Sequence, residues 1–159
     1  MFKTLSFAAL AASFCLGLGL AAPAPKVDLF GYYYLGDPVP KGFQDISELH
    51  LSTIDFQGDK MVEVPLHGMI RMKPKAGKGN ETAVDFPLVA PTLKGRAFTF
   101  TTREVGGVSY RFSGSFVRLG NFPEERPEGE VILKGHLSRL QGGKVKVESD
   151  VGFLYTGGD

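Results

Sequence analysis

The 159 residues carry 18 Lys+Arg against 17 Asp+Glu, a formal charge of +1. This near balance excludes a protein that holds nucleic acid by neutralising phosphates across a broad basic face. Apolar residues make up 43% of the chain and charged residues 22%, a globular composition. The 21 Gly and 10 Pro would be costly inside helices and favour strands joined by tight turns.

The chain opens with a leader pattern. Lys3 is followed by an apolar run from Leu5 to Ala22, then by Pro23 and Pro25. Gly19-Leu20-Ala21 places small residues where a signal peptidase reads. A positive start, an apolar middle and a small-residue exit predict a cleaved secretory signal peptide over residues 1–22, and an exported single domain over 23–159. A membrane anchor is the competing reading, but the run sits at the lower limit of a spanning length and contains Gly17 and Gly19. The one cysteine, Cys15, falls inside the leader and follows Phe14 rather than the small residue that lipidation requires. The exported chain is then free of cysteine, so it forms neither disulfides nor thiolate metal sites. Its expected destination is the periplasm or the exterior, and no later stretch is apolar for long enough to span a bilayer as a helix.

Beyond the leader the dominant period is two, the signature of half-buried strands. Val27 to Leu35 reads as a first strand, with aromatics on both faces, ended by Gly36-Asp37-Pro38. Glu48 to Asp55 sets Leu49, Leu51 and Thr53 against Glu48, His50 and Ser52. From Lys60 to Met72, one face presents Val62, Val64, Leu66, Gly68, Ile70 and Met72. The other presents Glu63, Pro65, His67 and Arg71, and Pro65 demands an edge or a bulge. Lys73 to Glu81 is a basic loop, and Val84 to Ala90 is a short strand closed by Pro91.

Two glycine hairpins follow. With a three-residue loop at Val105-Gly106-Gly107, Phe100 faces Phe112, and Phe98, Tyr110 and Phe116 share its side. A two-residue loop would split the aromatics between the faces, so burial selects the three-residue loop with Gly107 left-handed. The same rule applied to Gln141-Gly142-Gly143 sets Leu137 opposite Val147, Leu133 opposite Val151 and Val131 opposite Phe153. On the outer face it sets Lys134 opposite Asp150 and His136 opposite Glu148. About eight antiparallel strands in an all-β domain predict a small up-and-down β-barrel, with a β-sandwich as the alternative.

Few residues advertise chemistry. The chain lacks Gly-x-Ser-x-Gly, because Gly107-Val108-Ser109-Tyr110-Arg111 fails at its last position, and it lacks His-Glu-x-x-His and phosphate-cradling glycine loops. Glu124-Glu125, between Pro123 and Pro127, reads as a solvated loop. His50, His67 and His136 lie on polar faces and are the candidate metal ligands, although no local spacing makes them converge. Arg71, Lys73, Lys75 and Lys78 form a basic cluster able to meet an acidic partner or an anionic headgroup. Asn80-Glu81-Thr82 is a glycosylation sequon.

The aromatic inventory is the richest signal. If the barrel closes, Phe98, Phe100, Tyr110, Phe112 and Tyr155 either fill its interior or line a pocket for one small apolar ligand. The leading expectation is an exported, non-enzymatic domain that binds a hydrophobic small molecule or an envelope component, without a cofactor. The second is a structural or interaction protein of the envelope that acts through an exposed strand edge or the basic 71–78 loop. The third is a histidine-based metal enzyme.

Overall fold

The computed structural model describes residues 27–74 and 83–157. The expected leader, the sequon and the candidates Lys75 and Lys78 lie outside the described residues. Eight antiparallel strands close into a barrel in which each strand neighbours the next in sequence and the last returns to the first. They are β1 (Gly31–Leu35), β2 (Ile46–Gln57), β3 (Lys60–Met72), β4 (Asp85–Lys94), β5 (Ala97–Thr102), β6 (Val108–Phe116), β7 (Val131–Gln141) and β8 (Lys144–Thr156). The up-and-down barrel, rather than the sandwich, is therefore the architecture. Closure pairs every strand on both sides, at least over part of its length, through Tyr33 against Tyr155 at the seam.

Alternation builds the interior. Tyr33, Leu49, Leu51, Ile70, Phe86, Phe98, Phe100, Tyr110, Phe112, Phe116, Leu133, Leu137, Val151, Phe153 and Tyr155 are all buried in one cluster. Their rings touch in series. Phe100 stacks on Phe112 with centroids 5.3 Å apart, Phe112 meets Phe153 edge-on at 5.8 Å, and Tyr33 meets Tyr155 at 5.6 Å. Such offset and edge contacts add to the stabilisation from area burial. Room for the Phe112 ring comes from a pair of glycines, Gly114 on β6 opposite Gly135 on β7. A methyl group on either would sit 2.6 Å from the ring tip.

We call the end where β1, β3, β5 and β7 finish the upper end. The connection after β1 folds back over it and buries Phe43 completely. The lower end is stoppered by Phe122, the buried residue of the single helical turn α1 (Phe122–Glu125), which packs on Phe116 and Tyr155. The Glu124-Glu125 stretch is thus helical rather than a loop. Glu125 pairs with Arg118, and its Oε1 accepts the Asn121 N–H at 2.8 Å.

Several local expectations are corrected. The β1 ladder begins at Gly31 rather than Val27, and Asp28 instead bridges Asn121 in parallel. β4 does not stop at Pro91. It continues to Lys94 through an irregularity between Val89 and Thr92, where Ala90 takes a φ of 43°. Both glycine hairpins turn on two residues, not three, because Gly106 and Gly107 (φ 58° and 79°) and Gly142 and Gly143 (φ 53° and 74°) are left-handed in succession.

In the first hairpin Val105 consequently faces Val108, yet Phe100 still faces Phe112 as expected. The odd residue is absorbed between Thr102 and Val105. In the second, a bulge on β8 between Val145 and Val147 slides the ladder two residues from its expected register, so Leu137 opposes Ser149 and Leu133 opposes Phe153. An even slip leaves Leu133 and Leu137 inward, whereas a further register shift between Val131 and Leu133 turns Val131 away. On the outer face it sets Lys134 opposite Gly152 and His136 opposite Asp150. At the far end Val131 opposes Leu154 and is exposed.

Pro65 sits where the β2–β3 register shifts, between Ser52 and Ile54 on the partner strand, so it marks a bulge. Below that bulge the wall divides. β3 pairs with β4 only from Met69 to Arg71, and β1 pairs with β2 only from Leu49 to Leu51. Ile54–Gln57 and Lys60–Glu63 therefore form a two-stranded ribbon whose only ladder, among the described residues, is their own.

Candidate functional site

Of the five aromatics expected either to fill the interior or to line a pocket, Phe98, Phe100, Phe112 and Tyr155 are packed against other rings in the core. They fill the middle and lower barrel. Tyr110 is different: it lies higher, meets Phe86 edge-on at 5.1 Å, and borders an open cleft of about 470 Å³ at the upper end. The apolar wall of this cleft is Met72 from β3, Val84 just before β4 and Phe86 within it, and Val105 and Val108 flanking the β5–β6 turn. Lys73, Asp45 and Arg139 supply its polar rim.

Each polar side chain is placed by a backbone feature. Arg139 is opposite Tyr110 in the β6–β7 ladder, so its side chain shares the inward face. Its Nη1 donates to Asp45 Oδ2 at 3.1 Å. Asp45 is anchored by its carbonyl, which accepts the Lys73 N–H at 2.8 Å. The other carboxylate oxygen, Oδ1, is buried and has no hydrogen-bond partner among the described residues. The Tyr110 hydroxyl is 3.8 Å from Met72 Sδ, a weak acceptor. Burial pushes this phenol up to about 12, with Arg139 and Asp45 acting on it in opposite directions.

Sequence reasoning missed Asp45, Met72 and Arg139. Arg139 had a signal: Leu133, Gly135, Leu137 and Arg139 share one parity, so a charge ends an otherwise apolar inward row. Asp45 lies in a connection and had none.

A groove of about 490 Å³ lies on the outer wall, between Leu35-Gly36, Pro38 and the Gly135–Gly152 region of β7 and β8. Gly36, Gly135 and Gly152 are among its lining residues, and among the described residues none that lines it carries a buried unpaired polar atom to orient a ligand. The upper cleft has both an apolar wall and such an atom, the usual make-up of a small-molecule site.

The histidines do not converge. His50 is on β2, His67 on β3 and His136 on β7, and among the described residues no group of three or more His, Asp or Glu side chains is arranged to hold a metal ion. His50 is not simply solvated. It stacks on Tyr32 with centroids 4.8 Å apart, meets Phe30 edge-on, and has a buried, unpartnered Nε2. Burial lowers its pKa. His136 is exposed between two carboxylates, Nδ1 at 3.0 Å from Asp150 and Nε2 at 3.4 Å from Glu148, and the hydrogen bond to Asp150 does most to raise its pKa.

Of the basic cluster, Arg71 points to the outer wall, where it is paired with Asp85 at 2.9 Å and with the buried Glu48 at 3.2 Å. Glu48 also accepts the Tyr34 hydroxyl at 3.2 Å. Lys73 alone of the described cluster borders the cleft.

Neither a protein-family model, a curated protein nor a solved structure matches this chain.

Proposed function

We propose that this protein is an exported, non-enzymatic binding domain that holds a small hydrophobic molecule in the upper mouth of its barrel. The observation that carries the reading is the cleft of about 470 Å³ walled by Met72, Phe86, Val105 and Val108. That volume lies within the range of about 300–1,000 Å³ typical of ligand sites. A packed lower barrel with an open upper mouth gives a rigid frame for such a site, and the leader pattern supports export. The test is to purify the protein from the exported fraction, extract it with organic solvent and identify the extract by mass spectrometry. A stoichiometric apolar compound that is lost on Phe86→Arg, with the fold retained, is the expected result. An extract as empty as that of the variant overturns the reading.

The second reading, an interaction protein of the envelope, is favoured by the divided wall. The edges of β3 below Met69 and of β4 beyond Pro87 do not pair with each other, and the ribbon exposes Phe56 and Met61, at 69% and 68%. Exposed edges are templates for another strand. Recovery of envelope partners on the wild type, reduced by Phe56→Ser with Met61→Ser, would support it. Recovery reduced instead by the Lys73/Lys75/Lys78→Ala variant would move the contact to the basic loop.

A further inference from the structure

We infer that the molecule held in the upper cleft presents a hydroxyl group between Asp45 and Tyr110. The inference rests on the cleft being a ligand site and names the chemistry of its polar end.

Two polar atoms at the cleft are underused. Asp45 Oδ1 is buried without a donor among the described residues. The Asp45 side chain as a whole is 45% exposed and its Oδ2 is taken by Arg139, so a ligand that donates to Oδ1 supplies the hydrogen bond this oxygen lacks among the described residues. The Tyr110 side chain is 1% exposed, and its hydroxyl has only a thioether sulfur 3.8 Å away. A stronger acceptor would capture that proton. One atom thus lacks a donor and the other lacks a good acceptor.

A hydroxyl is the smallest group that both donates and accepts, and so meets both needs at once. A ketone, ester or ether accepts from Tyr110 but leaves Asp45 unpaired. An ammonium donates to Asp45, but Arg139 already balances that carboxylate at 3.1 Å, and Lys73 adds positive charge to the rim. A carboxylate head would be drawn to Lys73 but repelled by Asp45. The apolar wall then requires the remainder of the molecule to be hydrocarbon, so the ligand class is a hydrophobic alcohol or phenol.

The test compares three probes of one chain length on the folded protein: 1-decanol, decyl methyl ether and decanoate. Binding is followed by NMR through the methyl groups of Val105 and Val108. The alcohol should bind about tenfold more tightly than the ether, the equivalent of about 1.4 kcal/mol. Tyr110→Phe should reduce that preference severalfold while leaving ether binding in place. Asp45→Asn, which keeps the shape and removes the charge, should also weaken the alcohol more than the ether.

Equal binding of alcohol and ether overturns this inference and leaves the cleft as an apolar site. Tighter binding of decanoate also overturns it and assigns the polar end to Lys73. If none of the three binds, the cleft reading fails and this inference falls with it.

Discussion

Thr102 Oγ1 accepts the backbone N–H of Tyr110 at 2.9 Å. The contact replaces a rung of the β5–β6 ladder. Up to Thr101 and Arg111 the two strands pair in one register, and at Val105 and Val108 they pair in a register shifted by one residue. The extra residue has to leave the ladder between them. The hydroxyl of Thr102 takes over the buried N–H that this departure would orphan, and it holds Tyr110 at the floor of the cleft.

Thr102→Val should therefore cost about 1–3 kcal/mol, the penalty of a buried donor left unpaired. Thr102→Ser should recover most of it, since the acceptor returns. Urea denaturation of the three proteins measures this. A valine variant as stable as the wild type would show that water or another group serves the Tyr110 N–H.

Gly135→Ala should be destabilising although the added group is only a methyl. That methyl would meet Gly114 Cα and Ser113 O at 2.5 Å and Phe112 Cζ at 2.6 Å. Two of these atoms belong to the backbone and cannot swing aside, so a loss of about 3 kcal/mol, the upper part of the overpacking range, is expected. Gly142→Ala tests a different cost. Its surroundings are open, but its φ of 53° disfavours a side chain, so it should lose only about 1 kcal/mol. Calorimetry that ranked the two variants the other way would contradict this packing.

His50 and His136 should titrate on opposite sides of 6.5. Burial holds His50 below that value, and the carboxylates of Asp150 and Glu148 hold His136 above it. The signs of their linkage to folding are opposite. The stabilisation from His136 is fully present below pH 6.5 and disappears as pH rises through its folded-state midpoint. For His50, stability is highest above pH 6.5 and declines as pH falls towards its folded-state midpoint. Imidazole proton shifts followed against pH would resolve the two, and His136→Gln should flatten the alkaline side of the stability profile alone. A single shared midpoint would refute both environments.

Inward faces were legible in the sequence wherever a strand alternates strictly. Lys60 to Met72 and the aromatics of the first hairpin show this, because only one parity buries the apolar set. The register of the second hairpin was not legible. Shifts by two residues keep the same faces inward, so burial cannot distinguish Leu133 opposite Val151 from Leu133 opposite Phe153. The outer charges, which support the expected register without choosing it, do not discriminate either, because a long side chain reaches diagonally and His136 contacts both Asp150 and Glu148 in the observed register. Bulges at Thr102–Val105 and within β8 left no mark in the hydrophobic pattern. The cleft was only partly visible, since its aromatics were counted but its polar rim comes from a connection, a strand end and the edge of the basic loop.

The ribbon below Pro65 gives the molecule two tiers of cohesion. A solitary pair of strands is marginal on its own, whereas the ring of Phe98, Phe112 and Phe153 is enclosed on all sides. Amide hydrogens from Ile54 to Glu63 should exchange with deuterium through local opening, long before those of Leu133 and Leu137, which await global unfolding. The wall that divides at Met69 is thus also a boundary for cooperativity: one polypeptide, melting first at its fringe.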